Sequence, residues 1–193
     1  ERARASARGY HQQAQAIDLY KLVPPQSPFS RAAQLQTGLN LADLDKQDEA
    51  VKQLTALLDQ DPTDTRGYLA LGGVYGAKKD FKSAGAVYDR AVAAITTPLR
   101  SHWNIFYQRG IAFEQQDLWP KAEESFRKAL DLYPNQPQVL NYLGYSYVDQ
   151  NKNLTEALDM IRKAVELPPD DGYIVDSLGW AYYRLGRFDE AVS

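Results

Sequence analysis

The side chains that most often catalyse reactions or bind metals are sparse in this sequence. The chain has no cysteine and two histidines, His11 and His102, and neither histidine has a second ligand at suitable spacing. The acidic segment 43–49 has the composition of a calcium loop but lacks its central glycine and terminal glutamate. Gly72, Gly73 and Gly76 are not followed by the Gly-Lys-Ser/Thr of a phosphate-binding loop. These observations predict no catalytic residue, no metal site and no cofactor, and hence a protein that is not an enzyme.

The charge pattern argues against nucleic acid as the partner. The net charge is −3, and acidic and basic residues are mixed along the chain. Nucleic-acid-binding proteins usually carry a basic excess or patch, because phosphate contacts supply much of their affinity. No apolar run approaches the roughly 20 residues that a membrane span requires. We therefore expect no nucleic acid and no membrane span in this segment, and a protein or peptide as the partner.

Aromatic residues are the side chains best suited to such binding. The chain contains 13 tyrosines and 3 tryptophans, and tyrosine, tryptophan and arginine dominate binding hot spots. Four of the tyrosines occupy positions that recur along the sequence and are assigned to packing: Tyr75, Tyr88, Tyr147 and Tyr182. The other aromatic residues can be placed only after the elements that carry them have been identified.

Those elements follow from a pattern that recurs five times. A glycine is followed three residues later by a large apolar residue and twelve or thirteen residues later by an alanine. The glycines are Gly38, Gly72, Gly110, Gly144 and Gly179. A period near 34 residues is typical of stacked helical hairpins. Because each glycine lies inside a helical pattern, where it costs about 1 kcal/mol relative to alanine, we expect the partner helix to come close at that point.

The same period sets the expected boundaries. Residues 1–30 are predicted to be the second helix of a truncated repeat plus a linker, and residues 172–193 a truncated repeat. Complete repeats are expected at 31–64, 65–102, 103–136 and 137–171, the second of them with a linker insertion. The sequence thus predicts an all-α protein, a right-handed α-solenoid of antiparallel helix hairpins, and a segment of a longer array.

These residues resemble the tetratricopeptide repeat. The best matches are Leu71-Gly72 with Tyr75, Ala84, Tyr88 and Ala91, and Leu143-Gly144 with Tyr147. Departures from the family pattern include Thr37 and Arg109 in place of leucine before the glycine, and Leu41 in place of the aromatic residue. The resemblance implies a superhelix whose concave groove binds a peptide through residues at −3, +1, +4 and +5 relative to the glycine.

Transferred to this chain, these positions give the predicted partner-binding residues. They are Tyr107, Ile111, Asn141, Tyr145, Val148, Asp149, Asp176, Trp180, Tyr183 and Arg184. Two features of this set indicate its chemistry. Asn141 is suited to hold a peptide backbone through its paired donor and acceptor groups, and the near absence of lysine argues against a carboxylate clamp.

Residues 143–192 are also similar to large bacterial cell-envelope tetratricopeptide lipoproteins. That resemblance implies a non-enzymatic scaffold, an adaptor in the periplasm or anchored to the outer membrane and facing the periplasm, with a C-terminal processing protease as its partner. The alternatives are a cytoplasmic location and a regulatory arm of an enzyme whose catalytic domain lies outside this segment. Self-association through exposed repeat ends is a further expectation.

Overall fold

All regular structure in the described part of the chain is helical. The computed structural model describes residues 2–167 and 172–191. The α-helices there are α1 (Arg2–Lys21), α2 (Ser30–Asp43), α3 (Gln47–Gln60), α4 (Thr65–Ala77), α5 (Phe81–Ala94), α6 (Trp103–Glu114), α7 (Trp119–Leu132), α8 (Pro137–Asp149), α9 (Leu154–Glu166), α10 (Gly172–Arg184) and α11 (Phe188–Ala191). A turn of 3₁₀ helix, Arg100–His102, leads into α6. The predicted all-α class is confirmed, and the helices fit an α-solenoid of helical hairpins.

The chain divides into two compact units. Unit 1 comprises Glu1–Pro98 and Gln108–Ala122, and unit 2 comprises Leu99–Tyr107 and Glu123–Ser193. Within unit 1, each helix from α1 to α5 contacts the next. Within unit 2, α9 contacts both α8 and α10, α10 contacts α11, and α8 and α10 also touch each other directly.

The repeated glycines mark where the second helix of a hairpin approaches the first. In unit 1, a Cβ atom added to Gly72 would lie 2.6 Å from Cε1 of Tyr88 and closer still to its Cζ. In unit 2, a Cβ atom on Gly144 would lie 2.8 Å from Cγ1 of Ile161 and 2.9 Å from the carbonyl oxygen of Ala157. Any larger residue would push the helices apart, which is why the sequence accepts the cost of glycine inside these helices.

A second recurring feature closes the first helix of each hairpin. The residue seven positions after the repeated glycine has a positive φ in every case: Asp45 (61°), Lys79 (58°), Asp117 (58°), Asn151 (54°) and Gly186 (71°). The next N–H donates to the carbonyl five residues earlier, as in Lys152 to Tyr147 at 2.8 Å. This left-handed turn satisfies the last carbonyls of the helix and sets the direction of the next helix.

The cores of both units are built from the apolar faces of these helices. In unit 1 the fully buried side chains include Leu54, Leu57 and Leu58 of α3. In unit 2 they include Phe126 of α7, Leu143 of α8 and Ile161 of α9. Helical spacing of three and four residues puts such side chains on one face, so the opposite face of each helix is left for polar and partly exposed residues.

Candidate functional site

Two helices of unit 2 carry polar and aromatic side chains on neighbouring faces. Helix α8 starts with Pro137, and the Gln136 side chain caps it by accepting a hydrogen bond from the Gln138 N–H at 3.2 Å. Asn141 and Tyr145 are four residues apart on α8 and so share one face. Asp176 and Trp180 have the same spacing on α10. All four were predicted from the repeat positions.

The structure brings these four residues together in one depression with a volume of about 600 Å³. We call it the α8–α10 groove, and its lining residues are Asn141, Tyr142, Tyr145, Asp176, Ser177 and Trp180. Tyr145 and Trp180 are 42% and 37% exposed, so each ring presents apolar surface to solvent. A depression of this size with aromatic walls and a few polar groups has the usual composition of a binding site.

Two hydrogen-bond acceptors in the groove lack partners within the described residues. The side-chain oxygen Oδ1 of Asn141 is buried and accepts no hydrogen bond there. The Asp176 carboxylate, which is exposed, forms neither an ion pair nor a hydrogen bond with any described residue. An unsatisfied buried acceptor costs about 1–3 kcal/mol, so a bound molecule that donates hydrogen bonds here would recover that cost.

The C-terminal end of α10 extends the aromatic surface. The Trp180 and Tyr183 rings stack with centroids 5.7 Å apart and an interplanar angle of 22°. Arg184 lies beside them, with its guanidinium carbon 5.6 Å from the Trp180 ring centroid. Its Nη1 lies 3.7 Å from Oδ1 of Asp149, so the two predicted residues Asp149 and Arg184 pair with each other.

Three of the predicted residues lie elsewhere. Val148 is fully buried, so its prediction as a partner-binding residue is wrong: a short aliphatic side chain stays within the packing between helices, whereas Tyr145 extends beyond it. Tyr107 is half-buried, and its ring contacts Phe126 and Tyr142 at centroid distances of 6.1 and 5.7 Å. Ile111 is half-buried in unit 1. None of the three lines the α8–α10 groove.

The groove also contains two residues that the sequence reasoning missed, Tyr142 and Ser177. Each lies two positions before a repeated glycine, one step along the helix from a predicted residue. A step of one residue turns the side chain by about 100° on an α-helix, toward the neighbouring helix. Both residues occupy the same position in their repeats, and that shared position is the sequence signal from which they could have been predicted.

A polar network holds α8 against its neighbours. The Tyr147 hydroxyl donates to Oε1 of Glu123 and accepts from Nη2 of Arg127 at 2.6 Å. Arg127 also donates to both carboxylate oxygens of Glu156, at 3.1 and 3.3 Å. Burial and then the bond to Glu123 raise the pKa of Tyr147 to about 12, and the bond to Glu156 raises the pKa of the Arg127 guanidinium. The network therefore joins α7, α8 and α9, and the Tyr147 hydroxyl in it is protonated at neutral pH.

Neither a metal centre nor a membrane span is found in the described part of the chain. In residues 2–167 and 172–191, no group of three or more His, Cys, Asp or Glu side chains is placed to hold a metal ion. No helix in the same residues is long and apolar enough to cross a membrane. The groove itself offers hydrogen-bond acceptors, a carboxylate and aromatic surface, which suit recognition of a polypeptide.

Comparison with known families identifies a repeat family. The family model of the tetratricopeptide repeat matches residues 35–97 and 107–172. These two ranges include the repeated glycines from Gly38 to Gly144 and the α8 side of the groove.

Two curated proteins are similar in sequence. The general transcriptional corepressor ssn6 of Schizosaccharomyces pombe is 27% identical over 130 residues, which are 67% of this chain and 12% of that protein. The human protein O-mannosyl-transferase TMTC1 is 23% identical over 153 residues, 76% of this chain and 17% of that protein. The chain thus spans a small part of the length of either relative.

Several solved structures share the fold. YrrB, a TPR protein with an unusual peptide-binding site, has a TM-score of 0.64 and 18% identity, over 86% of this chain and 88% of that one. MamA has a TM-score of 0.69 and 22% identity, over 86% and 88% of the two chains. PilF of Pseudomonas aeruginosa has a TM-score of 0.70 and 21% identity, over 84% and 72%. At these identities the likeness shows the fold alone.

Proposed function

The chain belongs to the tetratricopeptide repeat family, and on that premise we propose that it is a non-enzymatic scaffold that binds a segment of a partner polypeptide in the α8–α10 groove. The observation that carries the proposal is the meeting of Asn141, Tyr145, Asp176 and Trp180 in one depression. The unsatisfied Oδ1 of Asn141 supplies an acceptor for an N–H group of the partner, and the two rings supply apolar contact. YrrB, which has this fold, is itself a TPR protein with a peptide-binding site.

A pull-down with three immobilised forms of the chain tests this function. The site variant carries Tyr145→Ala and Trp180→Ala. The control variant carries Tyr10→Ala and Phe29→Ala, which remove two aromatic side chains that are 51% and 71% exposed in unit 1. A hot-spot aromatic contributes about 2 kcal/mol, so the site variant should lose roughly 100-fold or more in affinity for a protein that the other two forms retain.

Circular dichroism and the urea midpoint of each variant establish that it is folded. Equal retention of the same proteins by all three forms would refute the groove as the binding site. Retention that is lost in the control variant and kept in the site variant would place binding in unit 1.

The more specific version of this function is a periplasmic adaptor in a bacterial cell envelope that brings substrates to a C-terminal processing protease. Its support is the resemblance of residues 143–192 to large envelope lipoproteins, and the absence of cysteine is compatible with an oxidising compartment. Fractionation of cells with an antibody against the chain, with the protease sought in the pull-down eluate, tests it. Recovery of the chain in the cytoplasmic fraction would contradict the periplasmic location.

One observation favours a second candidate, a regulatory arm of an enzyme. A relative that is named a transferase aligns with 76% of this chain. The complete open reading frame separates the two candidates, because an appended catalytic domain supports the arm and a lipoprotein signal with further repeats supports the adaptor.

A further inference from the structure

The side chains that line the α8–α10 groove carry one formal charge, and it is negative. Asp176 is acidic and the other five lining residues are uncharged. Within residues 2–167 and 172–191, no cation pairs with Asp176, whereas nearby Asp149 has Arg184 as its partner at 3.7 Å. The groove thus presents a carboxylate that lacks a counter-charge, which favours positive charge in whatever occupies it.

The second polar group of the groove needs a hydrogen-bond donor. Oδ1 of Asn141 is buried without a partner, and the amide makes no other hydrogen bond to the described residues. Rotation of this amide about its Cβ–Cγ bond breaks no hydrogen bond, so the oxygen is able to turn toward an occupant. An anionic or aliphatic side chain offers no hydrogen-bond donor to Oδ1 of Asn141, whereas an N–H group of the occupant would satisfy it.

The aromatic walls suit a cation as well. Tyr145 is 42% exposed and makes no ring contact or hydrogen bond with the described residues, so its face is available. The guanidinium carbon of Arg184 lies 5.6 Å from the Trp180 ring centroid. The Trp180 ring is therefore already in contact with one cationic side chain of this protein. Aromatic faces attract ammonium and guanidinium groups through the ring quadrupole.

These three observations converge on one kind of occupant. We propose that the α8–α10 groove is specific for a basic side chain, lysine or arginine, of the bound polypeptide segment. The cation pairs with the Asp176 carboxylate, donates a hydrogen bond to Oδ1 of Asn141 and lies against the Tyr145 ring. The volume of about 600 Å³ accommodates the aliphatic stem and adjoining backbone. This inference rests on the proposed function, because it names the chemistry of the segment bound at that site.

The test uses three tripeptides, N-acetylated and C-amidated Ala-Lys-Ala, Ala-norleucine-Ala and Ala-Glu-Ala, titrated into the ¹⁵N-labelled chain. Norleucine keeps the stem of lysine without its charge. The reporters are the indole N–H resonance of Trp180, assigned with Trp180→Phe, and the side-chain amide resonances of Asn141. Saturable shifts at both are expected for the lysine peptide, with the affinity about three- to fivefold above that of the norleucine peptide, as for an exposed ion pair.

Two isosteric variants distinguish the effect of the Asp176 charge on peptide binding from the effect of the net charge of the chain. Asp176→Asn should abolish the preference for lysine, while Asp159→Asn, which removes a carboxylate from the exposed surface of α9, should leave it intact. Added salt should weaken binding of the lysine peptide alone.

Each other outcome overturns the proposal. Equal binding of lysine and norleucine peptides, or an undiminished lysine preference in Asp176→Asn, would show a groove without charge selectivity and leave the proposed function standing. Preference for the glutamate peptide, or no saturable shift with any peptide, would refute the basic-side-chain specificity. The pull-down with Tyr145→Ala and Trp180→Ala reports on the proposed function independently of these results.

Discussion

Alanine should stabilise the protein at one of two adjacent glycines of α4 and should not stabilise it at the other. Alanine in a helix interior is about 1 kcal/mol more favourable than glycine. A Cβ atom at Gly73 would meet nothing within 4 Å, so Gly73→Ala should raise the free energy of unfolding by about 1 kcal/mol. At Gly72 the added atom would overlap the ring of Tyr88, which is 3% exposed and fixed in the core of unit 1.

Overpacking a core costs about 1–3 kcal/mol, which opposes the same helix-propensity gain. Gly72→Ala should therefore change the free energy of unfolding by between about zero and −2 kcal/mol. The two variants share a helix and a chemical change and differ in what the added methyl group meets, so the gap of about 1–3 kcal/mol between them measures the close approach of α4 and α5.

Urea unfolding followed by circular dichroism gives the overall stability of each variant. Because repeat arrays can open in parts, amide hydrogen exchange of peptides from Thr65–Ala77 measures the local effect. Equal stabilisation by Gly72→Ala and Gly73→Ala would refute the claim that the repeated glycine is required by the contact with Tyr88.

Three further predictions concern the polar and turn features. Tyr147→Phe removes the hydroxyl that joins Glu123 and Arg127, and should lower the free energy of unfolding by about 1–2 kcal/mol in urea titrations. Burial raises the pKa of Tyr88 from 10.0 to about 12, so its contribution to stability is complete below pH 10 and is lost as the pH rises toward 12; absorbance titration should show a late-ionising tyrosine that Tyr88→Phe removes. Lys79→Gly relieves a left-handed conformation, φ 58°, and should raise the unfolding free energy by about 0.5–1 kcal/mol in urea titrations.

Matched variants serve as controls for these experiments. Tyr75 holds the position of Tyr147 in its own repeat, but its hydroxyl makes no hydrogen bond to the described residues, so Tyr75→Phe should change stability by less than about 0.5 kcal/mol. Lys52→Gly, inside α3, should lower stability by about 1 kcal/mol. A loss from Tyr75→Phe equal to that from Tyr147→Phe, or the same effect of glycine at Lys52 and Lys79, would contradict the reasoning. An alkaline titration unchanged by Tyr88→Phe would contradict the burial argument.

The repeat pattern predicts much of the fold because it records a steric requirement. Gly72 and Gly144 are small because a large side chain from the next helix, Tyr88 or Ile161, occupies the space of a Cβ atom. The left-handed turn seven residues later escaped the sequence reasoning, since lysine, asparagine, aspartate and glycine all occupy it. A backbone conformation that several residue types adopt leaves a weak signal in a single sequence.

For the candidate site, the sequence indicated the helix face on which a residue lies better than the exposure of its side chain. The repeat positions implied by the resemblance to the tetratricopeptide family gave Asn141, Tyr145, Asp176 and Trp180, and these residues line the groove. The same rule gave Val148, which is fully buried, because spacing along a helix fixes the direction of a side chain while its exposure depends on its length and on the neighbouring helices.

Site-specific photocrosslinking in living cells reports whether a partner polypeptide occupies the α8–α10 groove. Tyr145→p-benzoylphenylalanine puts a photoreactive group in the α8–α10 groove, and Tyr10→p-benzoylphenylalanine puts the same group at a comparably exposed position of unit 1. Irradiation should attach a partner polypeptide at position 145, and Asp176→Asn should weaken this product. Attachment of the same partner at both positions, or at position 10 alone, would contradict this expectation.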